Sequence, residues 1–263
     1  MSKARSIQQQ IEDTLWYLER PGQARGDEAK AIEILASIAR GKKAGAALVD
    51  SIRRAKPTLE KPLSPWRSKA PWWSNAPWAS VKGLTMVIAV GHEPGGGATG
   101  ERAWNTKLAQ AMKAILEGHG VTAHVYFHKL KAYGARQRAL AAWIKANAPE
   151  AFLCWEIHYD AVANKTVSGH HFKYFGAKDF ARLTQEEWVA NYPQSRPRYD
   201  AGLHHATSGN GSGFLSAMPC WAMLAEPFFN SNAAEAAFFK PRFEEIAYVY
   251  CVAAARFAKL KNK

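Results

Sequence analysis

The sequence has few cysteines and no long apolar segment. Only Cys154, Cys220 and Cys251 occur among its 263 residues, and no two of them have the Cys-x-x-Cys spacing of a zinc or redox motif. A small, odd number of widely spaced cysteines argues against a disulfide framework and against a cysteine zinc site, so we expect buried thiols. No run approaches the roughly 20 apolar residues that span a bilayer, so we predict no transmembrane segment.

The N-terminus lacks the apolar stretch of a secretory signal peptide. It reads Met-Ser-Lys-Ala-Arg-Ser-Ile-Gln and continues into a polar helical pattern. We therefore expect synthesis in the cytoplasm without a signal peptide.

Positive charge is what the chain has in excess. Its formal net charge is +13 and its pI is near 9.7. This balance indicates an anionic partner: nucleic acid, an acidic membrane surface or an anionic cell-wall polymer. The lysines and arginines are scattered and no nucleic-acid-binding signature accompanies them, so nucleic acid ranks last and we predict none as a partner.

Composition and apolar spacing divide the chain into three parts. Helical periodicity predicts a small helical region over residues 1–55. Residues 56–82 form a linker rich in proline and tryptophan. Its tryptophans either stack on sugar rings or bases or, as we favour, pin the linker against the domain that follows. Residues 83–263 form the third and largest part.

The third part alternates strand and helix patterns. Strands are predicted over 84–90, 121–127, 151–157, 169–175 and 219–225, and helices over 103–118, 134–147, 180–191 and 233–260. The segment 192–213, rich in Pro, Ser, Gly and Asn, predicts a long loop. The fold class is therefore α/β, with a mainly parallel twisted sheet flanked by helices.

Three predicted strands end in a side chain suited to a metal site. They are followed by His92, His158 and Glu226, and Glu101 follows a glycine-rich loop at the start of a helix. Because the carboxyl ends of parallel strands meet at one edge, these side chains can converge. A single Gly-His at a strand end is usually a turn-capping histidine, but the repetition on sister strands favours a hydrolytic Zn²⁺ site with one open position and a carboxylate as general base.

The same segments resemble a known family. They are Val-Gly-His-Glu-Pro-Gly-Gly-Gly-Ala-Thr-Gly-Glu (90–101), Trp-Glu-Ile-His-Tyr-Asp-Ala (155–161), Ser-Gly-His-His-Phe-Lys-Tyr-Phe (168–175) and Leu-Ala-Glu-Pro-Phe-Phe-Asn-Ser-Asn (224–232). In this order they resemble the zinc-dependent N-acetylmuramoyl-L-alanine amidases of bacterial cell separation and phage endolysins, over roughly residues 84–258. The resemblance implies a twisted α/β domain that hydrolyses the amide joining N-acetylmuramic acid to L-alanine in peptidoglycan, with Zn²⁺ as cofactor.

By this resemblance, His92, Glu101 and His158 match the metal ligands of the family, and Glu226 matches its catalytic glutamate. The sequence departs from the family where Glu93-Pro94 follows His92 in place of Gly-Gly. Glu93 is thus a rival carboxylate ligand, although a side chain adjacent to a ligand usually points elsewhere, and we favour Glu101. The family commonly has a glycine two residues after the catalytic glutamate, and here the sequence is Glu226-Pro227-Phe228 instead.

Three further residues are candidates for substrate binding. Arg136 near a helix start could contact a stem-peptide carboxylate, although we favour a solvated helix face. His170 and His171 are neighbours on a strand, so at most one of them, His171, faces the metal, and we expect both to be exposed to solvent. Asn232 closes the last motif.

The preferred hypothesis is a monomeric phage or prophage lysin that acts on peptidoglycan at the bacterial cell wall, in the host periplasm. The basic charge, the missing signal peptide and the single catalytic domain favour it. One alternative is a non-catalytic wall-binding protein on an amidase-like scaffold, which predicts loss of a ligand or of Glu226. Another is a different zinc peptidase such as a carboxypeptidase, which usually needs an arginine clamp that we do not assign.

Overall fold

The computed structural model describes residues 72–209 and 211–262. The predicted helical region 1–55 and the first part of the predicted linker 56–82 lie outside the described residues. Chain contacts group residues 71–263 into one compact unit.

The unit is built on a six-stranded sheet. Its strands are β1 (Thr85–Val90), β2 (Thr122–Phe127), β3 (Ala151–Ile157), β4 (His171–Tyr174), β5 (Leu203–His205) and β6 (Trp221–Glu226). Their spatial order is β2-β1-β3-β6-β4-β5. Every neighbouring pair is parallel except β4 and β6, which are antiparallel. The predicted α/β fold with a mainly parallel sheet is confirmed.

Helices cover both faces of this sheet. They are α1 (Glu101–Gly118), α2 (Tyr133–Asn147), α3 (Lys178–Asn191), α4 (Ser212–Ala217), α5 (Ala233–Phe239) and α6 (Phe243–Lys261). Three short 3-10 helices span Trp72–Asn75, Trp78–Ser80 and Lys240–Arg242. The long helices α1 and α6 pack against each other and, with α3, cover one face, whereas α2 and α4 cover the other.

The first strand shows why the apolar run folds this way. Met86, Ile88 and Val90 belong to the core on the α1 and α6 side, whereas Val87 and Ala89 belong to the core on the α2 side. All six residues of β1 are buried. A strand covered on both faces needs a run of consecutive apolar residues, here Met86 to Val90, because successive side chains point to opposite faces.

The predicted long loop 192–213 contains regular structure that its composition hides. Strand β5 and the first residues of α4 lie in it, so the prediction of continuous loop is wrong there. With only three residues, β5 forms through pairing with β4 at the edge of the sheet. Tertiary contact rather than local pattern therefore specifies it.

Two tryptophans before the sheet pack against the helical layer of the domain that follows, as expected for residues that pin the linker. The ring of Trp73 stacks on Tyr248 with centroids 4.3 Å apart, and the ring of Trp78 stacks on His119 at 3.9 Å. The Trp78 indole N–H also donates to the carbonyl of Trp73 at 2.8 Å. The aromatic surface of these two residues is thus used inside the protein.

The structure also bears on the expectations drawn from absences. Within residues 72–209 and 211–262, no helix has the length and apolar character to cross a membrane. The three cysteines are unpaired; Cys154 and Cys251 are buried and Cys220 is half-buried.

Candidate metal centre and active site

Three side chains meet at the carboxyl ends of β1 and β3. Nε2 of His92 lies 3.1 Å from Oε1 of Glu101, and Nδ1 of His158 lies 3.0 Å from the same oxygen. One ligand atom from each residue falls within 4.8 Å of the other two. Two imidazoles and one carboxylate therefore converge as they do in three-ligand metal sites.

Glycines allow this convergence. A Cβ on Gly91 would lie 2.4 Å from Cε1 of His158, and a Cβ on Gly97 would lie 2.6 Å from Cδ2 of His92 and 2.8 Å from Oε2 of Glu101. His92 itself has φ of +67°, a left-handed conformation that is uncommon for a non-glycine residue. Such backbone strain is often found at functional sites.

Glu101 is fixed by the start of α1. Its Oε2 accepts a hydrogen bond from the backbone N–H of Ala98 at 2.9 Å, which leaves Oε1 facing the two histidines. The positive end of the helix dipole also favours a carboxylate there. Burial raises the pKa of Glu101, but hydrogen bonds with His158 and His92 outweigh it and lower that pKa to about 2. Glu101 is therefore ionised at neutral pH.

Glu93, the rival carboxylate, points away from this cluster. It forms an ion pair with Arg136 of α2, while Arg102 donates to the carbonyl of His92. Arg136 is only 7% exposed, so the expected solvated helix face is wrong for this residue. The Arg136–Glu93 pair fixes the loop that follows His92, and Glu101 is the carboxylate beside both histidines.

Glu156 lies behind His158. It is two residues earlier on β3, so both side chains are on the same face of the strand. Its Oε1 accepts hydrogen bonds from Nε2 of His128 at 3.0 Å and from the amide of Gln137 at 2.8 Å. Its Oε2 lies 3.8 Å from Nε2 of His158. Sequence reasoning missed Glu156, although its spacing from His158 is the signal that identifies it.

His158 thus lies between two carboxylates. Burial lowers its pKa, but the hydrogen bond with Glu101 and the nearby negative charge of Glu156 raise it to about 10. The hydrogen bond with His128, together with nearby His158, holds the pKa of the fully buried Glu156 well below its usual value, against the opposing effect of burial. A carboxylate on the far nitrogen of a histidine is a common way to orient a metal ligand.

Glu226 lies beside this group, on the neighbouring strand. Ile157 of β3 pairs with Ala225 of β6, and the backbone N–H of His158 donates to the carbonyl of Ala225 at 3.0 Å. The Glu226 side chain is 12% exposed, and its Oε1 lies 3.2 Å from Nζ of Lys173. Burial raises the pKa of Glu226, with Lys173 and His158 acting in the opposite direction.

His171 lies on the other side of Glu226. The antiparallel pairing of β4 with β6 places the two residues opposite each other, and their ligand atoms, with one from Asp160, fall within 4.8 Å. His171 is 1% exposed, and its ring nitrogens have no hydrogen-bond partner among the described residues. Burial, together with nearby Lys173, lowers its pKa to about 2, so the imidazole is neutral.

The expectation that His170 and His171 are exposed to solvent is wrong. His170 is buried and forms hydrogen bonds to Ser195 at 2.7 Å and to Gln185 at 2.9 Å. His171 is covered by Tyr199, whose ring centroid lies 4.9 Å from its own. The covering residues come from the segment 192–213, which the sequence pattern had assigned to a loop.

Asn232 is a helix cap. Its Oδ1 accepts hydrogen bonds from the backbone N–H groups of Ala234 and Glu235 at the start of α5, and its Nδ2 donates to the carbonyl of Val167 at 3.3 Å. Capping by asparagine is favourable at this position. We therefore favour a structural role for Asn232 over the predicted substrate contact.

A mainly parallel sheet with a histidine–glutamate–histidine group and a largely buried glutamate at one edge defines an α/β domain with a candidate metal centre. Residues 86–255 match the N-acetylmuramoyl-L-alanine amidase family. The chain belongs to this family. A comparison with curated proteins gives no match.

Solved structures of amidases share the fold. Ami1 from Mycobacterium smegmatis has a TM-score of 0.54 and 17% identity, over 70% of this chain and 99% of its own. The catalytic domain of CwlV from Bacillus (Paenibacillus) polymyxa var. colistinus has a TM-score of 0.53 and 20% identity, over 68% of this chain and 99% of its own. The catalytic domain of the CD27L endolysin, which targets Clostridia difficile, has a TM-score of 0.53 and 19% identity, over 65% of this chain and 96% of its own.

Proposed function

We propose that this protein is a zinc-dependent amidase that hydrolyses the bond between N-acetylmuramic acid and L-alanine in peptidoglycan. The convergence of His92, Glu101 and His158 beside the largely buried Glu226 carries the proposal. Membership of the amidase family supports peptidoglycan as the substrate.

The donor set fits Zn²⁺. Two imidazole nitrogens and one carboxylate oxygen are the ligands of many catalytic zinc sites, which keep a further position open. His92, Glu101 and His158 would hold the ion, and Glu156 would orient His158 from behind. When bound, Zn²⁺ supplies a Lewis acid that polarises a carbonyl and lowers the pKa of water toward about 7.

Glu226 moves the proton in this proposal. Its carboxylate accepts a proton from the attacking water as the new C–O bond forms at the lactyl carbonyl carbon. It then gives this proton to the L-alanine nitrogen as the C–N bond breaks, so the amine leaves neutral. A positioned carboxylate of this kind contributes about 100-fold to 10,000-fold to the rate.

Two other residues have supporting parts. We propose His171 as a substrate contact, because its neutral ring next to Glu226 offers one donor and one acceptor. Arg136 is better placed to hold Glu93, and thereby the loop after His92, than to bind a stem peptide directly.

We further propose a role as a phage or prophage lysin that acts at the bacterial cell wall. The net charge of +13 would attract the chain to anionic wall polymers. The likeness to an endolysin catalytic domain supports the same role.

Digestion of purified peptidoglycan tests the enzymatic proposal. Wild-type protein is expected to free L-alanine amino termini. Glu226→Gln is expected to lower their release by at least about 100-fold while zinc stays bound. His92→Ala is expected to lose both zinc and activity. The matched control is Glu244→Gln, at an exposed glutamate of α6, and it should behave as wild type.

The competing hypotheses give different products. A wall-binding protein without catalysis would bind peptidoglycan and free no amino termini. A carboxypeptidase would release a C-terminal amino acid from the stem and leave the lactyl amide intact. Either result with wild-type protein, or full activity of Glu226→Gln, would contradict the proposed function.

A further inference from the structure

Lys173 is a buried lysine that makes a direct contact with Glu226. It is 7% exposed, and its Nζ lies 3.2 Å from Oε1 of the glutamate. Phe172 packs into the core with α3 and α6, so Lys173 and His171 both face the opposite side of β4. That is the side on which Glu226 lies.

The position of the lysine stem is closely defined. A Cβ on Gly211 would lie 3.2 Å from both Cδ of Lys173 and Cδ1 of Leu224, so the backbone before α4 covers the stem. Lys173 is paired with Leu224 across the two strands. The ammonium group therefore has little freedom to leave Glu226.

A buried ion pair is a costly way to stabilise a fold. Removing two charges from water is unfavourable, and apolar residues of similar volume often stabilise a protein as well or better. Apolar packing at this point of β4 would serve stability alone. The pair is more readily explained by a role for the charge of Lys173.

The surroundings of Glu226 indicate that role. Asp160, His171 and Glu226 together could accept a cation, and hydrolases with two metals place the second ion in such a group. Here the ammonium of Lys173 already contacts Glu226. A fixed cation can hold a carboxylate in one orientation without any metal.

We propose that Lys173 is a positioning residue for Glu226: its ammonium binds Oε1, so that Oε2 carries out the proton transfer. This inference rests on the proposed function of Glu226. It adds a specific requirement for a positive charge at position 173. Misplacement of a reacting group by about 1 Å can cost about 100-fold in rate, which sets the expected size of the effect.

The test compares variants with and without this charge, on a soluble muropeptide. Lys173→Met keeps most of the stem but removes the charge, and its kcat should fall by about 10-fold to 100-fold with KM changed by less than about threefold. Lys173→Arg keeps the charge and should recover most of kcat. Lys113→Met, at a lysine paired with Glu117 on the surface of α1, is the control and should match wild type. If Lys173→Met fails to fold, Lys173→Gln tests the same loss of charge.

A second readout does not depend on catalysis. In ¹³C NMR of the full chain, the Glu226 carboxylate signal, assigned by its loss in Glu226→Gln, should move in Lys173→Met and stay in place in Lys113→Met. A wild-type protein that cleaves nothing would contradict the proposed amidase function, and this signal would still decide whether Lys173 contacts Glu226.

Three results would overturn the inference. The first is a kcat of Lys173→Met within about threefold of wild type. The second is a loss of kcat that Lys173→Arg does not recover, with lowered melting temperatures in both variants, which would indicate a purely structural pair. The third is wild-type protein that binds two zinc ions, one of which is lost in His171→Ala, because a metal would then replace the ammonium beside Glu226.

Discussion

Replacing Glu156 with glutamine is expected to weaken zinc binding without changing a ligand. Oε1 of Glu156 accepts hydrogen bonds from His128 and Gln137, so the amide oxygen of the variant must stay on that side. The new NH₂ group then faces Nε2 of His158. Zinc needs a proton-free Nδ1, the atom beside Glu101, so the ring proton of the metal-bound form stays on Nε2, where it would face the new N–H group in place of an acceptor.

The size of this effect follows from the geometry. Residues that orient a metal ligand typically contribute about 10-fold to 100-fold to metal affinity. The distance of 3.8 Å between Oε2 of Glu156 and Nε2 of His158 exceeds that of a good hydrogen bond. We therefore expect the lower end, a loss of about 10-fold, or about 1.4 kcal/mol.

A chelator competition assay at neutral pH measures the affinity directly. Glu117→Gln, at a surface glutamate paired with Lys113, is the matched control and should bind zinc as wild type does. Amidase activity of Glu156→Gln should return when zinc is in excess. A zinc affinity equal to that of the wild type would refute the reasoning, because Nε2 of His158 would then not depend on Glu156.

Three further predictions concern the same centre. Gly97→Ala should lower zinc affinity by at least about 100-fold, because its Cβ would lie 2.6 Å from the His92 ring. The control is Gly95→Ala, which has a similar positive φ but no neighbour within 4 Å, so a zinc titration of both variants separates the clash from backbone strain. Equal zinc affinities of the two variants would contradict the prediction. Because the pKa of His158 is raised from 6.5 to about 10, zinc must displace a proton, and affinity should rise about 10-fold per pH unit between about pH 6 and 8. The pH dependence of folding stability has the opposite sign. In the metal-free protein, the stabilisation that His158 contributes is complete below its unfolded pKa of 6.5 and is lost as the pH rises through about 10. Thermal melts across this pH range would detect the loss. A zinc affinity independent of pH would contradict the assignment of His158 as a protonated group.

The strand ends were predictable because their signal is local. Each apolar run marks a strand, and parallel strands place their carboxyl ends at one edge, which brings His92, His158 and Glu226 together. The choice between Glu93 and Glu101 was less certain from sequence. It depends on Arg136, which lies far along the chain and forms an ion pair with Glu93.

Burial was harder to predict than strand position. Alternation along β4 indicates which residues share a face, but it does not show what covers that face. Tyr199 and Ser195 come from a segment that looks like a loop, and they are the residues that enclose His171 and His170. The ion pair of Lys173 with Glu226 likewise depends on the antiparallel neighbour relation of β4 and β6. A short strand such as β5 has too few residues to show any period.

The distribution of the site over distant strands has a consequence for folding kinetics. His92 follows β1, His158 follows β3 and Glu226 ends β6, and β3 must pair on both sides before the three align. Contacts between residues so distant in sequence form slowly, because loop closure is costly before they are made. A chain in which β6 has not yet paired with β3 therefore lacks Glu226 beside the histidines. Zinc at the proposed ligands needs only β1 and β3 to be paired, and by binding the folded state it should shift the folding equilibrium toward that state.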